Sequence, residues 1–493
     1  MTHPLISQFI DAMNTAGLPS GLHANEELNS PVQMLYNTGS NGSVYLIWPS
    51  GSKHADFLRF RQCNPARRWM TEKFSCLLLK AGLGKWFSSG AFTFYTTSFV
   101  SNRIASEWDG RWALLLDNRG LDRMAVLWNA SWIDCTGIFT NLALNTNAER
   151  SIMREGRALD IVRHEMISDL VIPDTITWTP MKLKLSDISK GTFRSRHADA
   201  LPVKPLQQWL LTQHKQELPV NNTWLTMFDK QLNAMTAGSG AACSPLLIRK
   251  LRTLVNHLIQ QPSMDTSICH GNFTCSNVAV QEQSLHVTGW KQSAIQWPTL
   301  YDLFHFIYQG NSRNRGYKKI RLEIGRFFGK PEWSSFIAAS NLDKDMQEAW
   351  YVAFAMADLL ESMQYQRGCN RETIPMLYIL NEALSWQLCR LGLQSVPSII
   401  VNDLGILLHN IGGAELLPIQ YQQKLEIRIN SSDTLHVTRM MKQHPLVKRT
   451  MTSQKNGGKQ MDLGLCDGSM VTVNFMQNPE PDMVKISYVM KVA

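Results

Sequence analysis

Hydrophobic residues recur along this chain at two spacings, and the spacing changes several times. Ser43–Trp48, a turn at Pro49–Ser52 and Asp56–Phe60 predict a strand hairpin. Thr71–Leu83 predicts a helix ending at Gly84, and Ala91–Val100, rich in Phe, Tyr and Thr, predicts a strand. Arg111–Leu116 and Arg123–Trp128 form a second hairpin pattern about a turn at Asn118–Gly120. A strand pattern over Cys135–Leu144 follows. Thr146 and Glu149 then have capping-box spacing and open a helix through His164, with Ile152, Leu159 and Val162 near one face. Val171-Ile172-Pro173 lies a few residues beyond.

Residues 174–240 are less periodic, with helical patterns at Pro205–Glu217 and Asn221–Met235 and a loop at Ala237–Gly240. Ser244-Pro245 starts a strong helix in which Leu247, Leu251, Leu254, Leu258 and Ile259 repeat at helical spacing. It leads into Ile268–Lys291, a loop followed by a strand hairpin. Helices are expected over Pro298–Ile307, Arg315–Phe328, Lys344–Gln364 and Thr373–Leu391. From about residue 413 the pattern alternates again, at Lys424–Ile429, Leu435–Thr438, Met470–Phe475 and Met483–Met490, with a turn at Lys455–Gly458. No internal repeat of fixed period is present.

A length of 493 residues implies two to four domains. The composition, 44% hydrophobic and 18% charged, is that of a globular protein with a large core. The formal charge of +9 is modest, and its basic clusters at Arg61–Lys73, Arg313–Arg326 and Lys442–Lys459 read as solvated faces. No RNA-binding or helix-turn-helix signature accompanies them, so nucleic acid is not an expected partner. Nine Cys without a C-x-x-C pair argue for a reducing, cytoplasmic setting. Cys269, His270 and Cys275 match no zinc spacing. The first residues lack the features of a secretory signal, and no apolar run is long enough to predict a membrane span. Gly39–Ser43 reads as a turn rather than a phosphate loop.

The candidate chemistry lies in Ile268–Lys291. His270-Gly271-Asn272, four residues and Asn277 are followed by a strand, Leu285–Thr288, that runs into Gly289-Trp290-Lys291. This layout, with Asp302 in the Pro298–Leu303 segment, resembles the aminoglycoside phosphotransferase and choline kinase family, whose fold is protein-kinase-like. The resemblance spans about residues 106–391. It implies an α+β, two-lobed fold, here with an N-terminal α/β extension (1–105), an N-lobe (106–175), a mostly helical C-lobe (176–412) and a β-rich appendix (413–493).

In such a fold Asn272 stands where an aspartate takes the acceptor's proton, and Asn277 and Gly289 stand at the metal-binding positions. Asn141 stands near the strand lysine that would pair with Glu155 of the helix to hold nucleotide phosphates. Asn272 cannot accept a proton at neutral pH, Gly289 has no ligand, and Lys291 places positive charge where a metal would bind. His270 is expected to support the loop, and Asp302 to be structural. Glu155 has no Lys or Arg three or four positions away, so the residues alone place it on a solvated surface.

The expected function is therefore that of a catalytically degenerate, pseudokinase-like protein that binds a protein partner or small-molecule ligand, with no cofactor. Lys291 could receive an anionic ligand. The alternatives are a divergent phosphotransferase using ATP and Mg²⁺, with Glu282 or Asp302 as unfamiliar acids, and an anionic-surface or nucleic-acid binder using the basic clusters.

Overall fold

The computed structural model describes residues 4–38, 44–55, 65–81, 83, 85, 88–106, 111–117, 122–130, 137–189, 191–195, 197–217, 223–237, 245–260, 264–310, 317–339, 351–352, 354–355, 374–412, 427–455, 458–477 and 483–491. The expected features at Gly39–Ser43, Asp56–Phe60, Asn118–Gly120 and 238–240, most of Lys344–Gln364 and half of Lys424–Ile429 lie outside these residues.

The helices in chain order are α1 Pro4–Thr15, α2 Pro65–Lys80, α3 Ser98–Ser106, α4 Thr146–His164, α5 Val203–Leu210, α6 Thr223–Ala237, α7 Pro245–Ile259, α8 Tyr301–Gly310, α9 Tyr317–Phe328, α10 Ser334–Ala339, α11 Ile374–Arg390, α12 Val396–Gly412 and α13 Ser431–Gln443. The strands up to the candidate loop are β1 Ser20–Gly21, β2 Ser30–Thr38, β3 Val44–Pro49, β4 Gly90–Thr96, β5 Trp112–Asp117, β6 Met124–Ala130, β7 Gly137–Ala143, β8 Leu170–Val171, β9 Thr175–Thr179, β10 Lys182–Ser186, β11 Lys215–Glu217 and β12 Met264–Cys269. After it come β13 Val278–Gln281, β14 Ser284–Val287, β15 Ala294–Pro298, β16 Ile427–Asn430, β17 Val447–Lys455, β18 Gly458–Leu465, β19 Met470–Gln477 and β20 Met483–Lys491. The fold is α+β. It divides into two compact units, Met1–Thr212 with Ile268–Ile295, and Gln213–Ser267 with Gln296–Ala493.

The first unit is built on a nine-stranded sheet of order β1-β4-β2-β3-β5-β6-β7-β10-β9, antiparallel at every neighbouring pair. Strand side chains alternate between faces, and here both faces are apolar. On one face Leu5, Phe9 and Met13 of α1 pack with Met34, Ile47, Phe94, Trp112 and Leu127. On the other, Leu79 of α2 joins Leu35, Leu46, Trp48 and Ala113. Strands from 1–105 and from 106–175 are thus neighbours in one sheet, and no boundary at residue 105 divides it. Strand β3 uses both its edges, for β2 and β5. The strand expected over Ala91–Val100 stops at Thr96 because the Thr97 hydroxyl accepts the Val100 N–H at 3.1 Å and starts α3.

Helix α4 begins at the residue expected to cap it. Asn145, not Thr146, is its N-cap, and its side chain accepts the Ala148 N–H at 2.9 Å. The helix buries Ile152, Glu155, Gly156, Leu159 and Val162 along one face. A Cβ on Gly156 would lie 2.2 Å from the Trp178 ring of β9, so glycine permits this close approach of helix and strand.

In the second unit a five-stranded antiparallel sheet of order β16-β20-β19-β18-β17 packs its inner face, Met461, Leu463, Val471, Val473 and Phe475, against Ile399, Ile400 and Leu404 of α12 and Val437 and Met441 of α13. The strand expected at Leu435–Thr438 is part of α13. Val437 and Met441 fall on one helical face and are buried there. The helix expected over Pro205–Glu217 ends at Leu210, and Lys215–Glu217 instead pairs antiparallel with β12. Among the described residues no helix is long and apolar enough to cross a membrane.

Candidate functional site

Asn141, Glu155, His270, Asn272, Asn277, Gly289 and Lys291 all lie in the first unit. The loop after β12 turns at Gly271, whose φ of +78° belongs to the left-handed region. A Cβ there would sit 2.0 Å from the Gln292 carbonyl oxygen, so only glycine lets the loop press against the turn Trp290–Gln292. His270 is fully buried. Its Nε2 donates to the Thr288 carbonyl at 2.9 Å, and its Nδ1 accepts the Asn272 N–H at 3.2 Å. Those two bonds require the neutral Nε2–H tautomer and use both ring nitrogens to tie the loop to the hairpin.

Asn277 closes the loop on itself. Its Nδ2 donates to the Asn272 carbonyl at 2.9 Å. Its own carbonyl accepts the Thr288 N–H at 2.9 Å, anchoring β13 to β14. The two strands pair from Val278↔Val287 to Gln281↔Ser284, and β14 also pairs in parallel with Leu170 and Val171 of β8. Glu282, considered as an unfamiliar acid, is exposed at the far tip of this hairpin. Gly289 adopts φ +79° and ψ +51° and leads into the turn carrying Trp290 and Lys291. A Cβ at Gly289 would lie 3.0 Å from Asn277 Oδ1, so positions 277 and 289 adjoin.

The sequence alone places Glu155 on a solvated surface, and the structure corrects this: it is 1% exposed. Its Oε2 accepts from Asn141 Nδ2 at 2.9 Å, and its Oε1 accepts from the Trp290 N–H at 3.0 Å. No neighbour on its own helix supplies these partners. They come from β7 and from the turn after β14. Burial raises the pKa of the Glu155 carboxyl, against the opposing pull of Lys291 and of the two hydrogen bonds. Asn141 and Glu155, the positions of the implied lysine and glutamate, are therefore in contact, joined by an amide–carboxyl hydrogen bond.

Trp290 is the organising residue that spacing alone did not single out. It is fully buried and bonds its indole N–H to the Val287 carbonyl at 3.1 Å. It meets His270 edge-on at 4.7 Å and Trp209 at 5.0 Å. The available signal was a large aromatic residue directly after a turn glycine. The hairpin β9–β10 was also missed, although Thr-Ile-Thr-Trp-Thr and Lys-Leu-Lys-Leu alternate on either side of Pro180-Met181.

The donor set does not suit a divalent cation. Mg²⁺ and Ca²⁺ take several hard oxygen ligands, carboxylates foremost. Asn272 and Asn277 carry neutral amides, Gly289 carries nothing, and Lys291 adds positive charge. Among the described residues no group of three or more His, Cys, Asp or Glu could hold a metal ion. Asp302 is buried in the first turn of α8, in the second unit.

No protein-family model and no curated protein matches the chain. Solved structures similar to it include an ethanolamine kinase of Plasmodium vivax, at 12% identity over 53% of this chain and 79% of that one, with a TM-score of 0.36. A choline kinase of Streptococcus pneumoniae matches at 10% identity over 53% and 90%, TM-score 0.36. A macrolide 2'-phosphotransferase of Brachybacterium faecium matches at 15% over 48% and 89%, TM-score 0.29. At similarity this low, what the chain does has to be argued from its own residues.

Proposed function

We propose that this chain is a phosphotransferase-like protein that has given up ordinary kinase chemistry and acts as a ligand-binding or regulatory protein. The observation that carries the reading is the closure of Glu155. Both its oxygens are used inside the protein, by Asn141 and by the Trp290 N–H. In an active kinase-like site a glutamate at this place would orient a phosphate-gripping lysine. Here the amide of Asn141 takes that partner position with no charge to offer a phosphate. Asn272 has no basic oxygen to accept a hydroxyl proton, and the Asn277 amide is occupied in holding the loop.

A ligand that does need a positive group finds Lys291, half-buried beside Trp290 and close enough to act electrostatically on Glu155. An anion bound there would require no metal. The test has two arms on the full chain. Phosphate release and transfer from Mg·ATP to small amino-alcohol and aminosugar acceptors are expected to match those of Asn277→Ala. A magnesium-dependent turnover that Asn277→Ala abolishes would overturn the reading. In the second arm, thermal stabilisation by ATP or pyrophosphate in excess EDTA is expected to weaken in Lys291→Met. Equal stabilisation of both proteins would remove Lys291 from the site.

A further inference from the structure

One of the basic clusters, residues 442–459, is not used by the candidate loop, and the fold turns its centre into an open strand. Strand β17, nine residues long, is the last in the five-stranded sheet and among the described residues pairs only with β18. Leu446 and Val447 at its root are buried. Beyond them Thr450 is half-buried, and Lys448, Arg449, Met451, Thr452, Ser453 and Gln454 are exposed. Strand side chains alternate between faces, so β17 stands open on both faces and along its outer edge. The opposite edge strand, β16, has only four residues.

The root of β17 is fixed. His444 Nδ1 accepts the Leu446 N–H at 3.2 Å, and its Nε2 donates to Asp403 at 2.8 Å. Asp403 is the ion-pair partner of Lys250, so a buried network anchors the corner from which the strand leaves. The Val447 N–H donates to the His444 carbonyl at 3.1 Å, and the Cys466 N–H to the Leu446 carbonyl at 3.0 Å. From Arg449↔Gly464 to Lys455↔Gly458 the ladder with β18 is unbroken. A strand held on one side keeps a fixed row of backbone N–H and C=O groups on the other, which is a template for a further strand. Two devices that blunt such an edge, a lysine and a register shift, both fall between Val447 and Arg449. Residues 450–454, Thr-Met-Thr-Ser-Gln, carry no charge, Pro or Gly, which leaves the middle of the edge open.

The charges at the two ends select what can add there. Lys448 and Arg449 lie at the root and Lys455 at the tip, and β17 contains no Asp or Glu. No ion pair among the described residues involves Lys448 or Arg449. The acid of β18, Asp462, stands across the ladder from Met451 and is engaged by Gln460 and Thr472. A second copy of β17, laid alongside in either direction, would set cation against cation at both ends. A segment with an uncharged, strand-forming centre and carboxylates at both ends is complementary along the whole edge.

We propose that β17 is a docking edge for an extended acidic segment of a partner protein. The segment adds to the sheet beside residues 450–454, with its carboxylates next to Lys448 and Arg449 at one end and Lys455 at the other.

The experiment uses the full chain and two fluorescein-labelled peptides, Glu-Glu-Thr-Val-Thr-Val-Thr-Glu-Glu and the same peptide with Lys in place of Glu. Fluorescence anisotropy should show binding of the acidic peptide only, weakening as salt is added. Lys448→Glu combined with Arg449→Glu should weaken that binding at least about fivefold and admit the lysine peptide. Both positions are exposed, so the melting temperature of this variant should not change. Hydrogen exchange should slow in residues 448–455 when the acidic peptide is bound and stay unchanged in 427–430, which separates strand addition from loose adhesion of charge. Equal binding of the two peptides, unchanged exchange in 448–455, or tighter binding of a single-stranded oligonucleotide of equal charge would overturn the proposal. A concentration-dependent dimer of the chain alone, protected over 448–455, would overturn it in favour of a second copy.

Discussion

Truncating Glu155 separates the reading of a sealed structural carboxyl from that of an ordinary surface acid. Glu155→Ala strips the acceptor from two donors at once, the Asn141 amide and the Trp290 N–H, in a place water does not reach. Leaving a buried donor unsatisfied costs about 1–3 kcal/mol, so the pair amounts to about 2–6 kcal/mol of local stability. Glu155→Gln keeps an acceptor for Trp290, and Asn141 can turn its amide to accept from the new NH₂, so the expected cost is below about 1.5 kcal/mol. Hydrogen exchange followed by mass spectrometry reads the loss where it falls. Peptides covering 137–160 and 286–294 should exchange roughly 30-fold faster or more in the alanine variant, while the sheet Gly458–Gln477 stays unchanged. The pH dependence supplies an independent check. Burial raises the folded-state pKa of Glu155 above the ordinary carboxyl value of 4.5. Its contribution is therefore complete below about pH 4.5 and is lost as pH rises through the folded pKa. Glu155→Gln does not titrate, so it should gain on the unsubstituted protein as pH rises above 4.5. Equal exchange in all three proteins, or a glutamine variant as open as the alanine one, would refute the assignment.

Three further outcomes follow from the packing. Lys250 is buried with Asp403 as its ion-pair partner and Asn381 accepting at 2.8 Å. Lys250→Met should lower stability in urea unfolding by about 3–5 kcal/mol, and adding Asp403→Leu should recover part of it. Glu382 is pushed up to about 8 by burial, despite accepting the Tyr317 N–H at 2.6 Å. Its contribution is full below pH 4.5 and lost by pH 8, so Glu382→Gln should raise the melting temperature at pH 8 and change it little at pH 5. Gly271→Ala combines a left-handed φ with a Cβ 2.0 Å from the Gln292 oxygen, so it should cost at least about 2 kcal/mol. Gly392→Ala has a similar φ but open space around it, and thermal unfolding should show a loss nearer to about 1 kcal/mol.

Much of the architecture was legible because its signals are local. Apolar runs over 111–116 and 123–128, parted by turn residues, mark β5 and β6, and Ser244-Pro245 ahead of a leucine repeat marks α7. His270, Asn272, Asn277 and Gly289 stand out by spacing, and the structure brings them onto one loop and hairpin. The local signals that misled were those a neighbour outweighed. Leu435–Thr438 alternates like a strand, yet Val437 and Met441 are one helical turn apart, and burying both against the sheet decides for α13. Ala91–Val100 is rich in strand-forming residues, but the Thr97 hydroxyl ends the strand by capping α3.

By itself, then, the sequence determined which positions of the loop and hairpin Ile268–Lys291 carry acids and which do not, since side-chain identity needs no coordinates. It also determined most helices and hairpins, whose periodicity is written in consecutive residues. Only the tertiary structure decided what these positions and Glu155 do. Glu155 looks solvated because its neighbours at three and four positions offer no cation. Its partners are Asn141, 14 positions back, and Trp290, 135 positions on, and burial between them follows from the docking of α4 on the sheet and the turn after β14. Likewise, Gly289 and Asn277 adjoin because a left-handed turn ends the hairpin that begins at Asn277. Contacts of such long sequence separation leave no periodic trace, so they become visible only once the chain is folded.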